Sequence, residues 1–223
     1  MLKAKKRLTK RQIKEDKFVT FYINATNYLQ ENGRYIMYGA FAFVALVVMF
    51  LIYSGKQSEK EQNAVIILTE ARAEFGKANY KDAADKLQIL VDTYGGTKSS
   101  TIGLFYLANS RYHLQEYEEA ERLFREYLDN GKDELLLTSS MSGVAACLEE
   151  QGKPAEAAEM FEKTAEKYSE SFMAAENLYN AARCYTLAGN PAAAAKVLKT
   201  LIRDYSSSQK KNDAEIFLAE LNP

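Results

Sequence analysis

Apolar positions along this chain follow two different rules. Residues 35–53 read Tyr-Ile-Met-Tyr-Gly-Ala-Phe-Ala-Phe-Val-Ala-Leu-Val-Val-Met-Phe-Leu-Ile-Tyr without one charge, whereas from about residue 64 apolar side chains recur every three or four residues among polar ones. The second pattern is that of amphipathic helices, and the first is that of a helix with no polar face. At about 1.5 Å per residue the uncharged run makes a helix about 28 Å long, close to the hydrocarbon thickness of a bilayer. Its ten Leu, Ile, Phe and Val residues together favour insertion by about 3–6 kcal/mol, and no charge opposes them. Tyr35, Tyr38 and Tyr53 stand towards its ends, where amphipathic rings suit the headgroup level. The run is therefore expected to span a membrane.

Charge then orients it. The chain carries a net charge of −1, but residues 1–34 hold nine basic and three acidic side chains, and the rest is acidic overall. Basic residues beside a span are retained in the cytoplasm, which places the N-terminus inside and residues 56–223 outside. The apolar run starts late, is long for a signal core, and is followed by Ser54-Gly55-Lys56-Gln57, which offers no Ala-x-Ala-like cleavage site. An uncleaved signal-anchor over residues 34–55 in a bacterial inner membrane is expected, with a periplasmic domain after it. Within the basic segment 1–33, Phe18, Phe21, Tyr22, Ala25, Tyr28 and Leu29 recur at helical spacing, and Asn32-Gly33 is the expected stop. A basic amphipathic helix in this place lies on the inner leaflet or simply extends the anchor.

The domain after the span repeats itself every 37 residues. Ile67, Leu104, Met141 and Leu178 share one register position; Ala71, Ala108, Ala145 and Ala182 share another. So do Ala83, Ala120, Ala157 and Ala194, and also Leu87, Phe124, Phe161 and Leu198. Each cycle predicts a helix with one small residue at a close approach, a short turn, and a second helix that sets Ala against the first. Tyr80, Tyr117, Pro154 and Pro191 open the second helices, where proline lacks only an N–H that has no partner anyway. One hairpin cannot bury its apolar face alone, so four stacked hairpins are expected, sealed by a last helix over 213–221.

Tyr117-Glu118-Glu119-Ala120-Glu121-Arg122-Leu123-Phe124 and Gly152-Lys153-Pro154-Ala155-Glu156-Ala157-Ala158-Glu159-Met160-Phe161 resemble the signature of the tetratricopeptide repeat family, over about residues 64–208. The resemblance implies an all-α, tetratricopeptide-like solenoid behind a single transmembrane helix. This chain departs from the family's usual repeat by three residues and lacks its common closing proline, so a helix or a linker must be longer. A basic N-terminus, Lys14-Glu15-Asp16-Lys17-Phe18-Val19-Thr20-Phe21, one span and four repeats are together similar to the ancillary-subunit family of the bacterial Sec translocon. That group shares its repeat type with periplasmic cell-division coordinators. It implies a non-catalytic protein whose repeats meet translocon subunits, emerging polypeptides or periplasmic chaperones.

The residues themselves offer no catalytic chemistry. His113 is the one histidine and falls in an expected turn; no phosphate-cradling glycine loop, nucleophile elbow or metal-ligand spacing occurs. No catalytic residue, metal, cofactor, small-molecule substrate or nucleic acid is expected. Glu116, Glu118, Glu119 and Glu121 read as the solvated side of an amphipathic helix. Cys147 and Cys184 occupy one register position with Ala73 and Ser110, a place that wants a small side chain. Helix axes about 8–10 Å apart are too far for a disulfide, so two buried thiols are expected.

By analogy with the family, the first helix of each repeat lines the concave face. Arg72, Phe75, Phe105, Asn109, Tyr112, Tyr179, Asn180 and Arg183 are the candidate partner-binding residues there. Rings and amide or guanidinium donors suit an extended peptide; some of the rings are alternatively expected to pack between repeats. The full Lys, Asn and Arg set with which some tetratricopeptide domains clamp a C-terminal carboxylate is not recognisable. Two other classes stay open: an assembly subunit of another inner-membrane complex, with Gly39, Ala40 or Ala42 admitting a partner helix, and an organelle import receptor with its repeats in the cytosol.

Overall fold

The computed structural model describes residues 10–221, with side chains from residue 17. The described residues form nine α-helices and no strand: α1 (Lys10–Gly76), α2 (Tyr80–Tyr94), α3 (Lys98–His113), α4 (Tyr117–Asn130), α5 (Glu134–Glu150), α6 (Pro154–Lys167), α7 (Ala174–Leu187), α8 (Pro191–Asp204) and α9 (Lys210–Leu221). The chain divides into two compact units, residues 1–56 and 57–223.

In the first unit the helix does not stop at Asn32-Gly33. The Asn32 side chain donates to the Tyr28 carbonyl at 3.1 Å, a bond back along the same helix rather than a cap. An interior glycine costs only about 1 kcal/mol, which the flanking helix formers absorb. Every large apolar side chain from Phe18 to Tyr53 is exposed, so the described residues of this unit form no core of their own. Its helix is long and apolar enough to cross a membrane. The basic residues 3–14 lie outside the described side chains.

The second unit is the solenoid. Residues 57–76 of α1 serve as the first helix of the first hairpin, and each later helix packs on its neighbours in chain order. The small residues expected at close approaches are all fully buried: Ala71, Ala108, Ala145 and Ala182 on first helices, Ala83, Ala120, Ala157 and Ala194 on second helices. Leu87, Phe124, Phe161 and Leu198 fill the space between them, also buried. The second helices begin at Tyr80, Tyr117, Pro154 and Pro191, as their register required.

The turns inside the hairpins keep the same period in their backbone. Ala78, Gln115, Gly152 and Gly189 have φ of 61°, 63°, 75° and 74°, the left-handed region in all four. Only the last two repeats place glycine there, so Ala78 and Gln115 carry a steric cost of about 1 kcal/mol each.

The three extra residues per repeat go to two places. Before α3 and α5 the linkers are short, 95–97 and 131–133, and those helices are long, whereas before α7 the linker 168–173 is longer and the helix shorter. At the start of the solenoid Glu61 ties down the first of these corners. Its carboxylate accepts from the Lys98 and Ser99 N–H groups at 2.7 and 3.1 Å and from the Ser99 hydroxyl at 2.6 Å. Lys60 donates to the Gly95 carbonyl beside it.

The register position of Cys147 is buried in every repeat but the first. Ser110, Cys147 and Cys184 are fully buried against the preceding hairpin, whereas Ala73 is exposed because no hairpin precedes it. Both thiols are free, and burial pushes each up to about 12. At the other end α9 packs Ala214, Phe217, Leu218 and Leu221 on the last hairpin. His113 is the last residue of α3 rather than a turn residue, and its ring stacks on Tyr80 with centroids 4.1 Å apart.

Candidate functional site

The first helices of repeats two, three and four together line one hollow of about 390 Å³. Asn109 and Tyr112 come from α3, Ser142, Gly143, Ala146, Glu149 and Glu150 from α5, and Asn180 and Arg183 from α7. Phe124 and Phe161, from the second helices beneath, form its apolar floor. Four of the eight candidate residues therefore meet here. Of the other seven lining residues, none of them a site candidate in the sequence, five are on α5, while Phe124 and Phe161 were expected in the core.

The hollow has its place because of what α5 lacks. One register position holds Phe105, Ser142 and Tyr179 in successive repeats; the next holds Tyr106, Gly143 and Asn180; a third holds Asn109, Ala146 and Arg183. At all three, α5 has the smallest side chain. The gap at Gly143 is partly claimed from below: a Cβ there would meet the Phe124 ring at 2.6 Å. In the preceding repeat the place of Phe124 is held by Leu87, and there the first helix of the next hairpin carries Tyr106. In these two repeats the larger residue below goes with none above and the smaller one with a ring above; in the next repeat Phe161 goes with Asn180.

The other candidates pack or lie apart. Phe75 meets the rings of Tyr80, Tyr106 and His113 edge-on at 5.4–6.0 Å, and Phe105 meets Tyr106 and Phe124 at 5.4 and 6.2 Å. Both are half-buried against the core, which is the alternative that the sequence left open for such rings. Arg72 is exposed and holds its guanidinium 5.1 Å from the Tyr106 ring centroid. Tyr179 lines a second hollow of about 330 Å³ with Arg183, Asp213, Ile216, Phe217 and Glu220, where α9 closes over it. A larger hollow of about 710 Å³ lies against the linkers 168–173 and 205–209, and none of the eight residues reaches it.

Electrostatically the groove is acidic. Arg183 is its one lining cation and both its terminal nitrogens donate to the Glu149 carboxylate one repeat away. Glu150 pairs with no cation among the described residues, and after burial its charge is what raises the nearby Tyr117 phenol. Burial pushes the Tyr112 phenol up to about 12, and the Glu150 carboxylate beside it adds to the shift. The Asn109 amide donates to the Phe105 carbonyl at 2.8 Å, whereas the Asn180 amide has no partner among the described residues. Three of the four carboxylates of the acidic run at the start of α4 are ion-paired as well as solvated: Glu116, just before the helix, with Arg111, Glu119 with Arg122, and Glu121 with Arg125. No group of three His, Cys, Asp or Glu among the described residues is placed to hold a metal.

Comparison with known proteins agrees with this architecture. Residues 26–177 match a tetratricopeptide repeat-like domain, and residues 148–221 match a tetratricopeptide repeat. No curated protein matches the chain. Among solved structures it is similar to a Podosopora anserina putative kinesin light chain with nearly identical TPR-like repeats. That likeness has 14% identity and a TM-score of 0.59, over 72% of this chain and 86% of that one. A point variant of the same protein is similar at the same identity and TM-score, over 85% of its length. At such identity the likeness concerns the fold alone.

Proposed function

As a member of the tetratricopeptide repeat-like domain family, this chain is, we propose, a non-catalytic interaction subunit of a bacterial inner membrane that receives protein partners in the groove centred on α5. Tetratricopeptide repeats serve protein–protein contact, and the groove is the feature that carries the reading. It joins three repeats, has an apolar floor and polar walls, and is about as large as the small end of ligand-binding clefts. The expected topology keeps residues 1–33 in the cytoplasm, residues 35–53 in the bilayer and the repeats in the periplasm. Two observations support the bilayer placement of residues 35–53. The family match begins at residue 26, ahead of the apolar run, so the matched region takes in that run. Its large apolar side chains are exposed throughout, an arrangement that lipid stabilises and water does not.

The partners proposed are translocon subunits for the anchor, and emerging polypeptides or periplasmic chaperones for the groove. Photoreactive residues at Phe43 and at Asn109, in the full chain in its own membrane, test this. The account expects translocon subunits crosslinked from Phe43 and passenger or chaperone proteins from Asn109. If both positions capture subunits of one unrelated complex, the chain is an assembly subunit and the translocon assignment fails. Protease access to residues 56–223 only after the outer face of the membrane is opened checks the topology separately.

A further inference from the structure

The groove's charge says which partner segment it admits, given the reading of that groove as the partner site. The hollow over α5 and the smaller one under α9 share Arg183, and together their walls carry Glu149, Glu150, Asp213 and Glu220. The one guanidinium is already satisfied by Glu149. Lys210 stands over the Tyr179 ring at 4.9 Å and divides its charge between Glu176 at 3.3 Å and Asp213 at 4.0 Å. Glu150 and Glu220 are left with no cation partner among the described residues. A carboxylate-bearing segment would meet repulsion here and no free donor of positive charge.

We infer that this groove binds an extended polypeptide segment presenting a lysine or arginine side chain, with the cation set between Glu150 and the Tyr112 ring. The fit is chemical as well as electrostatic. Phe124 and Phe161 underlie the hollow and suit the apolar stem of such a side chain, while its charged head stays at the polar wall. An aromatic face beside a carboxylate receives a cation on two counts, by ring quadrupole and by ion pairing. The uncommitted Asn180 amide offers both a donor and an acceptor, which an extended backbone can meet with its own C=O and N–H. The negative field is already felt inside the site, since Glu150 and Glu149 both help raise the Tyr112 phenol. This is the reverse of a carboxylate clamp, which needs free cations on the same helices.

The test uses the full chain in lipid nanodiscs and three short fluorescent peptides. All share one Gly, Ser and Leu frame, with two Lys, two Gln or two Glu at the centre, and binding is read by anisotropy. The Lys peptide is expected to bind roughly tenfold tighter than the Gln peptide, with the Glu peptide weakest and the preference shrinking as salt screens exposed charge. The double variant Glu150→Gln, Glu220→Gln is expected to bring the Lys peptide down to the level of the Gln peptide. Equal binding of Lys and Gln peptides, both abolished by the groove-filling substitution Ala146→Tyr, would overturn the charge preference and leave the groove as partner site. Absence of binding by every peptide would overturn both.

Discussion

Helices α3 and α5 hold successive places in one solenoid and follow the same buried register. Ala108 and Ala145 are each fully buried, and each sits where its hairpin partner approaches closely. One residue after and two residues before, the two helices diverge: Asn109 on α3 answers to Ala146 on α5, and Tyr106 to Gly143. The positions that face inward are held alike because any larger group there would force the helices apart. Those that face the groove vary in size from repeat to repeat, Gly143 being held small by the Phe124 ring below it, and the hollow forms at the repeat where they are smallest. Fold and site are thus written in adjacent columns of one repeat.

The largest effect on this comparison is expected below the groove. Phe124 is 2% exposed and supports both Phe105 on α3 and the gap at Gly143. Phe124→Ala is expected to destabilise the repeats by about 3–5 kcal/mol, read as a lowered thermal midpoint of the full chain in detergent. Filling the gap from above is expected to cost less. Gly143→Ala drives a methyl into the Phe124 ring and should cost about 1–3 kcal/mol, less the gain of about 1 kcal/mol from replacing a helical glycine. Adding Phe124→Leu should relieve the clash, because it restores the size relation that Leu87 and Tyr106 have in the preceding repeat. Additive losses in that double-mutant cycle would show that the two side chains do not set each other's size.

A smaller contrast separates the first two repeats from the last two. Ala78→Gly and Gln115→Gly place glycine where the register already has it in Gly152 and Gly189, and each is expected to stabilise by about 0.5–1 kcal/mol. A lowered midpoint for either would contradict the strain assigned to those turns. The smallest effect concerns Glu61. Burial alone would raise its carboxyl, but bonds from the Ser99 hydroxyl and the Lys98 and Ser99 N–H groups bring it below the usual 4.5. A depressed carboxyl contributes stability that is present above about 4.5 and lost as pH falls through its lower folded value. The difference in thermal midpoint between the native chain and Glu61→Gln should therefore shrink from pH 7 towards pH 3.5. A difference constant over that range would mean that the corner does not depend on the charge.

Most of the solenoid was legible in the sequence because its constraints are positive ones. A buried alanine every 37 residues, or a proline at a helix start, announces itself by type and spacing. Four of the eleven groove residues were legible for the same reason: Asn109, Tyr112, Asn180 and Arg183 carry rings or donors. The α5 wall was not, since Ser142, Gly143 and Ala146 signal by being small, and smallness reads as packing until the repeats are set side by side. Glu149 and Glu150 carry no signal of type or spacing in the sequence, and only the fold brings Glu149 against Arg183. Asn32-Gly33 misled in the opposite sense: the helix runs through the dipeptide, and the Asn32 side chain bonds back along it instead of capping it.

The most direct measurement of the central claim fills the hollow without touching its charges. Ala146→Tyr gives α5 a bulky side chain at the register position that Asn109 and Arg183 hold on either side. The account predicts a thermal midpoint close to that of the native chain, with binding of the Lys peptide weakened at least about tenfold. Undiminished binding by the filled groove would contradict it.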